Sequence, residues 1–269
     1  MNNKLDIVIQ GNYTDYTDEI IDQYISLPFV NNVIVSCWQD NKKSISSNKV
    51  IFIRNIYPDS PGTDNRNLQI VSSLNGLKNC QSEFAVKTRS DQKFTYDSMM
   101  KMYDFFMQNN QKSVNYQYES DKPQNKIMVA GIYSNLLFCP RDHIFWGNSR
   151  DLVELFDVPL EKNGFIDKVK IPKQRLWMYY DHFVRTETYI GIHYCSKFYD
   201  ELYRIILKDN EHLYDGAIYW YYTKDLSDKI TPLVFKSFPK SLIEFDWPCK
   251  YDFTLESYIG ACQWHEDGF

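Results

Sequence analysis

The sequence lacks several features that would assign it to a common protein class. Its 269 residues include 30 Lys and Arg and 35 Asp and Glu, a net charge of −5, with no basic cluster of the kind that binds nucleic-acid phosphates. No stretch approaches the roughly 20 apolar residues of a membrane-spanning helix. Residues 1–10, MNNKLDIVIQ, contain no small-residue cleavage site, so we expect a first strand there and not a signal peptide. These absences indicate a soluble protein without nucleic-acid partners, for which only peripheral membrane contact stays open.

Metal-ligand spacings and the glycine motifs of common enzymes are missing as well. No C-x-x-C or Cys/His pattern is present, which argues against a zinc site and a disulfide scaffold. The absence of G-x-S-x-G, Walker A and G-x-G-x-x-G argues against serine hydrolases, P-loop proteins and dinucleotide-binding folds. We interpret the six cysteines as reduced thiols of a cytoplasmic protein: Cys37, Cys80, Cys139, Cys195, Cys249 and Cys262.

Strands and helices alternate along the first ninety residues. The pattern predicts strands over 5–9, 33–37, 50–53 and 84–87 and helices over 18–27 and 65–77. The strands are almost continuously apolar and their connections are short. This is typical of an α/β fold whose parallel sheet is covered on both faces.

The second half of the chain is less regular. We predict helices over 96–106, 151–156 and 189–207, a strand over 126–133, a hairpin or bent pair from 136–139 and 144–146, and polar loops over about 110–125 and 160–174. No repeat or flexible linker interrupts the chain. A single domain over 1–269 is therefore expected.

Polar residues follow the predicted strands at the edge where parallel sheets bind ligands. Gln10, Gly11 and Asn12 follow the first strand, and Trp38 and Asp40 follow the second. Trp38 is the aromatic residue best placed at this edge to stack on a ligand ring. The sequence thus predicts a binding crevice at this edge.

Motifs in the first hundred residues occur in a specific order. They are IQG at 9–11, VSCW at 35–38, PG at 61–62, QIVSS at 69–73 and VKTRSD at 86–91, with looser matches PRDHIFWG at 140–147 and RTETY at 185–189. In this order they resemble the WavE family of lipopolysaccharide-synthesis glycosyltransferases. The resemblance implies a GT-A-type fold with a Rossmann-like half, 1–94, that binds a nucleotide sugar and a half with a mixed sheet, 95–269, that binds the acceptor.

The resemblance also implies the function and the donor site. It implies transfer of a sugar from a nucleotide-sugar donor to a glycan or glycolipid acceptor, in polysaccharide or lipopolysaccharide synthesis. The residues expected at the donor are Gln10, Gly11, Asn12, Trp38, Asp40, Asn65, Arg66, Asn67, Lys87 and Arg89. Two other functions stay open: a sugar nucleotidyltransferase, and a glycan-binding scaffold whose catalytic site has decayed.

A carboxylate at a strand end can hold Mg²⁺ or Mn²⁺ against a diphosphate, and Asp91 has that position. The GT-A motif usually has two aspartates, whereas Arg89 replaces the first here. If no metal binds, Lys87 and Arg89 can supply the positive charge instead. Asp91 as an ordinary turn residue, or in an ion pair with Arg89, is the alternative.

An inverting transfer needs a carboxylate that takes the proton from the acceptor hydroxyl. The candidates are Asp142, beside His143, and Glu187, just before a predicted helix. Each also has a structural explanation, Asp142 as a turn former and Glu187 as an acid that complements the helix dipole. A retaining mechanism stays open.

Overall fold

The computed structural model describes residues 4–43, 45–110, 126–133, 136–162, 185–199 and 216–248. Most of the two predicted polar loops, and the predicted helix beyond 199, lie outside these residues. The strands are β1 (Leu5–Gln10), β2 (Val30–Trp38), β3 (Val50–Asn55), β4 (Phe84–Arg89), β5 (Lys93–Phe94), β6 (Ile127–Val129), β7 (Ile144–Asn148), β8 (Phe235–Ser237) and β9 (Phe245–Asp246). The helices are α1 (Asp15–Ile25), α2 (Arg66–Leu77), α3 (Tyr96–Asn110), α4 (Ser149–Phe156), α5 (Thr186–Ser196) and α6 (Gly216–Val234).

Seven of the described strands form one mixed sheet in the order β3-β2-β1-β4-β7-β6-β8. The strands β1, β2, β3 and β4 pair in parallel, whereas β7 is antiparallel to both β4 and β6. This confirms the predicted α/β fold with a Rossmann-like first half and a mixed central sheet. The order reverses between β1 and β4, which makes the carboxyl ends of these two strands a topological switch point.

The sheet is covered by helices on both faces, and its central strands β1 and β4 are almost entirely buried. One face packs on α1 and α3 through residues such as Ile20 and Phe106, and the other on α2, α4, α5 and α6 through residues such as Ile70 and Leu155. All six residues of β1 are buried. Such a strand cannot alternate polar and apolar positions, which is why its sequence is nearly continuous in apolar residues.

One charged residue of β1 holds the sheet at the edge opposite to the switch point. Asp6 is fully buried, and its carboxylate accepts from the backbone N–H groups of Asn32, Gln81 and Ser82 at 2.6–3.1 Å. A buried carboxylate is stable only with such donors. Asp6 therefore joins β1 to the amino end of β2 and to the connection that precedes β4.

Several predicted boundaries need correction. The first helix begins at Asp15 and not at 18, because the backbone N–H of Thr14 donates to Thr17 Oγ1 at 2.9 Å and caps the extra turn. The strand predicted over 126–133 spans only Ile127–Val129.

The predicted hairpin is wrong. Residues 136–139 form no strand, because Phe138 has a left-handed φ of 47° that no extended strand accepts. Of the predicted pair only β7 forms, and it pairs with β4 and β6. The helix predicted over 189–207 begins earlier, at Thr186, and ends at Ser196, so Glu187 lies inside its first turn.

Candidate functional site

The carboxyl ends of β1 and β4 touch at the switch point. Gly11 follows β1 with a φ of 125°, and a Cβ atom there would lie 2.7 Å from the Ser90 hydroxyl oxygen. The N–H of Ser90 donates to the carbonyl of Gln10 at 2.9 Å. Glycine is therefore required at position 11 for both its conformation and its space. The predicted crevice has a closely packed floor.

Arg89, the last residue of β4, joins two carboxylates. Its Nε and Nη2 atoms donate to the two oxygens of Asp91 at 2.9 and 2.8 Å, and Nη1 donates to Asp142 Oδ2 at 2.8 Å. Asp142 reaches this point because it precedes β7, and the antiparallel β7 begins where β4 ends. The Arg89–Asp91 ion pair anticipated as an alternative to a metal site is present.

Lys87 lies two residues earlier on the same face of β4 and is fully buried. Its Nζ donates to the backbone carbonyl of Asp142 at 3.1 Å and lies 5.4 Å from the ring centres of Phe145 and Phe156. Burial lowers the pKa of Lys87 to about 8, with Asp142 opposing that change. Lys87 thus places a cation directly beneath Asp142.

Asp142 and its neighbour His143 have fixed protonation states at neutral pH. Burial alone would raise the pKa of Asp142, but Arg89, His143 and Lys87 together hold it well below its ordinary value. Burial lowers the pKa of His143 to about 3, and its Nδ1 contacts the amide of Gln92. Asp142 is therefore an anion, and His143 is neutral.

Glu187 behaves differently from Asp142. Burial, together with the negative charge of Asp142, raises the pKa of Glu187 to about 7. Two carboxyl groups whose environments separate their pKa values are the usual basis for an acid–base role. Of the two predicted bases, Glu187 is the one that exchanges a proton near neutral pH.

Trp247, in the carboxyl-terminal part of the chain, contacts both Asp91 and Arg89. Its Nε1 donates to Asp91 Oδ2 at 3.1 Å, and its ring centre lies 5.3 Å from the Arg89 guanidinium carbon. It is brought there by β9, which pairs with β5. Sequence reasoning missed Trp247, since no local pattern links residues this far apart.

The arrangement around Asp91 does not fit a metal ligand. Both of its oxygens accept hydrogen bonds from Arg89, and a cation there would face the positive guanidinium at close range. Among the described residues, no group of three or more His, Cys, Asp and Glu side chains is arranged to hold a metal ion. The requirement for Mn²⁺ or Mg²⁺ stays a prediction.

Arg66 and Asn67 point away from the crevice into the protein. Arg66 Nη1 lies 3.3 Å from Glu161 Oε2, and its guanidinium lies 4.3 Å from the ring centre of Tyr189 on α5. The Asn67 side chain exchanges hydrogen bonds with the backbone of Glu161 at 2.8 and 2.9 Å. These two residues join α2 to the segment after α4. Asn65, immediately before them, is exposed.

A second aromatic residue covers Trp38. The Tyr57 ring stacks on Trp38 with centres 4.5 Å apart and 15° between planes, and its hydroxyl donates to the Asp40 carboxylate at 3.2 Å. Trp38 is only 4% exposed, whereas Tyr57 is 44% exposed. The open aromatic face therefore belongs to Tyr57. Sequence reasoning missed it, although Tyr57 follows β3 at the same edge as Trp38 follows β2.

Nine of the thirteen predicted site residues thus fall into three groups. Lys87, Arg89, Asp91, Asp142 and Glu187 form one electrostatic cluster, which we call the Arg89 cluster. Trp38 and Asp40 lie with Tyr57 at the carboxyl ends of β2 and β3, while Arg66 and Asn67 hold Glu161. Gln10 is buried and accepts from Ser72 at 2.8 Å, and Asn12 is exposed.

Together, the seven-stranded mixed sheet, its helices on both faces and its switch point define an α/β protein with a Rossmann-like first half. The chain belongs to the WavE lipopolysaccharide synthesis family, whose model matches residues 24–223. A comparison with proteins of curated function gives no match. None of the described helices is both long and apolar enough to cross a bilayer.

Solved structures resemble the chain only distantly. One is 4-diphosphocytidyl-2C-methyl-D-erythritol synthase from Anaerococcus prevotii, with 9% identity over 68% of this chain and 85% of that one and a TM-score of 0.39. HddC from Yersinia pseudotuberculosis, complexed with GMP-PN, has 12% identity over 62% and 87% and a TM-score of 0.35. S. aureus TarS 1–349, in complex with UDP-GlcNAc, has 18% identity over 48% and 34% and a TM-score of 0.30. We draw no functional conclusion from likenesses this low.

Proposed function

We propose that this WavE-family chain is a glycosyltransferase that moves a sugar from a nucleotide-sugar donor to a glycan or glycolipid acceptor in lipopolysaccharide-type synthesis. The observation that carries the proposal is the Arg89 cluster. There, Arg89 and Lys87 hold the ionised Asp142 at the switch point of the sheet, and Glu187, whose pKa is raised to about 7, is influenced by the charge of Asp142.

The cations of the cluster suit a diphosphate leaving group. Arg89 is partly exposed at the end of β4, whereas Lys87 is buried behind it. Fixed positive charge at the point where negative charge develops lowers the barrier of the transfer step, because the protein does not have to reorganise. We propose that Arg89 and Lys87 supply this charge and that no step depends on a metal at Asp91.

Glu187 is the proposed catalytic base. It accepts the proton of the acceptor hydroxyl as that oxygen attacks the sugar carbon and the bond to the diphosphate breaks. Asp142 is less suited to this role because Arg89 and Lys87 stabilise its ionised form. A single base of this kind fits an inverting transfer, and the anomeric configuration of the product, read by NMR, tests that assignment.

The edge formed by β2 and β3 is the proposed site of the donor base. Tyr57 is held in place by Trp38 and Asp40, so its open face needs little ordering when a flat ring stacks on it. Asn12, which follows β1, and Asp40, which follows β2, are both exposed at this edge of the sheet. They offer hydrogen-bonding groups beside the stacked ring.

The proposal is tested with a panel of nucleotide sugars. UDP, GDP, CMP and TDP are first compared in thermal-shift assays, because a ligand that binds only the native state raises the melting temperature. The matching nucleotide sugars are then assayed for hydrolysis and for transfer, with Glu187→Gln as the inactive variant. Glu154→Gln, which changes a half-buried glutamate on α4 that is paired with Lys197, is the matched control. Nucleotide binding with neither hydrolysis nor transfer, or no nucleotide binding at all, contradicts the proposal.

A glycan-binding scaffold is the second candidate, favoured by one observation. Asp91, the carboxylate expected to face the donor, is engaged by Arg89 and Trp247. A chain that binds oligosaccharides but none of the nucleotides supports this alternative.

A further inference from the structure

Phe138 has a backbone conformation that a bulky residue rarely adopts. Its φ is 47°, and the side chain is fully buried. Such a conformation is costly and persists only where the surrounding structure holds it in place. The neighbouring residues must therefore hold the backbone of Phe138 in this strained conformation.

Hydrogen bonds from the surroundings fix this segment residue by residue. The N–H of Phe138 donates to the Ser227 hydroxyl on α6 at 2.8 Å, and the N–H of Arg141 donates to the carbonyl of Gly131 at 2.9 Å. The carbonyl of Cys139 accepts from the N–H of Tyr133 at 3.0 Å. The chain from Phe138 towards Asp142 is therefore held along its length.

Helix α5 rests directly on this strained residue. A Cβ atom at Gly191 would lie 1.9 Å from the carbonyl oxygen of Phe138 and 3.0 Å from its carbonyl carbon. No side chain fits in that space, and the contact is with backbone, which cannot rotate away as a side chain does. Glycine is required at position 191 for the approach of the helix and not for its own conformation.

The contact lies one helical turn from Glu187. Residues four apart lie on the same face of a helix, so Gly191 and Glu187 face the same side. Asp142 lies four residues after Phe138 on the other half of the contact, and its carboxylate is fixed by Arg89. The position of α5 on Phe138 thus determines how far Glu187 lies from Asp142.

We propose that Gly191 and Phe138 are positioning residues, whose backbone contact places the Glu187 carboxyl group against Asp142 so that it can take the proton of the acceptor. This proposal rests on the proposed function. It makes the strained conformation part of the acid–base site, although neither residue touches substrate.

Electrostatics around Glu187 support this role. After burial, Asp142 is the largest influence that raises the pKa of Glu187, while Arg185 and Arg89 lower it. The other charged or titratable groups that interact with Glu187 are Lys87, Arg66, Tyr133 and Cys139. A shift of α5 away from Phe138 moves Glu187 away from Asp142 and lowers its pKa towards the ordinary value of 4.5.

The test compares Gly191→Ala with Gly147→Ala, where a new Cβ meets Leu152 at an ordinary 3.4 Å. In Gly191→Ala we expect kcat to fall about 10- to 100-fold, since a displacement on the order of 1 Å has that cost, with the KM for the donor nearly unchanged. The acid limb of the pH profile of kcat should move to lower pH. Gly147→Ala should leave kcat, the KM for the donor and the acid limb of the pH profile unchanged. A folded Gly191→Ala protein with wild-type kcat and an unmoved limb overturns the proposal.

Two further measurements keep the outcome decisive. If Gly191→Ala does not fold, Ser227→Ala loosens the same segment through its bond to Phe138, and an unmoved acid limb in that variant overturns the proposal. If the wild-type protein transfers no sugar, the pKa of Glu187 can still be measured by NMR titration of its carboxyl carbon in the wild type and in Gly191→Ala. The difference between the two pKa values reports the effect of the Gly191–Phe138 contact. An equal Glu187 pKa in wild type and Gly191→Ala overturns the positioning role, whereas a lower one in the variant supports it even as the proposed function fails.

Discussion

Arg89 holds Asp142 through a hydrogen bond of 2.8 Å between its Nη1 atom and Asp142 Oδ2, across 53 residues of sequence. The pair joins the end of a parallel strand to the start of an antiparallel one. Because the same guanidinium also binds Asp91, one side chain fixes two carboxylates at the switch point. Replacing Arg89 therefore releases both carboxylates from their shared donor.

Arg89→Lys is expected to lower kcat about 10²-fold, the effect of removing one fixed donor at a developing charge. Lysine keeps the charge but cannot form the two-pronged bonds to Asp91 while also reaching Asp142. Steady-state kinetics with the donor found in the nucleotide panel give the measurement. Arg54→Lys, an arginine whose described bonds are to backbone carbonyls, is the control. Activity within twofold of wild type after Arg89→Lys contradicts the role given to Arg89.

The rate of transfer should rise from pH 5 to pH 8 with a midpoint near 7, because only the ionised form of Glu187 accepts a proton and its pKa is about 7. A kcat profile across this range tests the prediction. Glu154→Gln should keep this limb. A limb near pH 4 instead would assign the base role to another group.

Glu187 also predicts a pH dependence of stability. Its pKa is raised from 4.5 to about 7 in the folded protein, so the folded state binds the extra proton. That contribution is present below pH 4.5 and is lost as the pH rises through 7. Glu187→Gln should melt like wild type at pH 4.5 and be more stable by about 2 kcal/mol at pH 8, a value reduced for partial exposure of the side chain. Equal urea unfolding curves for the two proteins at pH 8 contradict this.

Chelation tests the source of positive charge. With Arg89 at the proposed diphosphate site and Lys87 buried behind it, EDTA should leave the rate within about twofold, and Asp91→Ala should act mainly through the orientation of Arg89. Loss of activity with EDTA that added Mn²⁺ restores would show instead that the metal requirement implied by the resemblance is correct.

Tyr57→Ala should raise the dissociation constant of the nucleotide about tenfold, since stacking of a base on an aromatic ring contributes about 1–3 kcal/mol. Tyr57→Phe keeps the ring, loses only the bond to Asp40 and should have a smaller effect. Isothermal titration with the preferred nucleoside diphosphate measures both. Tyr96→Ala removes a tyrosine of similar exposure, 42%, and serves as the control. Unchanged affinity in Tyr57→Ala places the base elsewhere.

The first half of the fold was predictable because its strands are buried on both faces and therefore almost continuously apolar. The residues after β1, β2 and β4 could be placed at one edge by the rule for parallel sheets. Whether a side chain at that edge faces a ligand was not predictable. Arg66 turns inward to Glu161, a residue 95 positions away that no local pattern connects to it.

The second half was harder to predict for physical reasons. Phenylalanine is not a residue type that indicates a left-handed backbone. The apolar residues 136–139 therefore gave the pattern of a strand. The separation of the pKa values of Asp142 and Glu187 depends on burial and on charges contributed by other elements. Burial and neighbouring charge depend on how the chain packs and cannot be read from the residues next to Asp142 or Glu187 in the sequence.

The bond from Trp247 to Asp91 spans 156 residues and constrains the order of events during synthesis. A ribosome that has made the whole parallel sheet up to β4 has not yet made the indole that covers its edge. The contacts of Asp91 and Arg89 are therefore incomplete in any nascent chain that ends before Trp247.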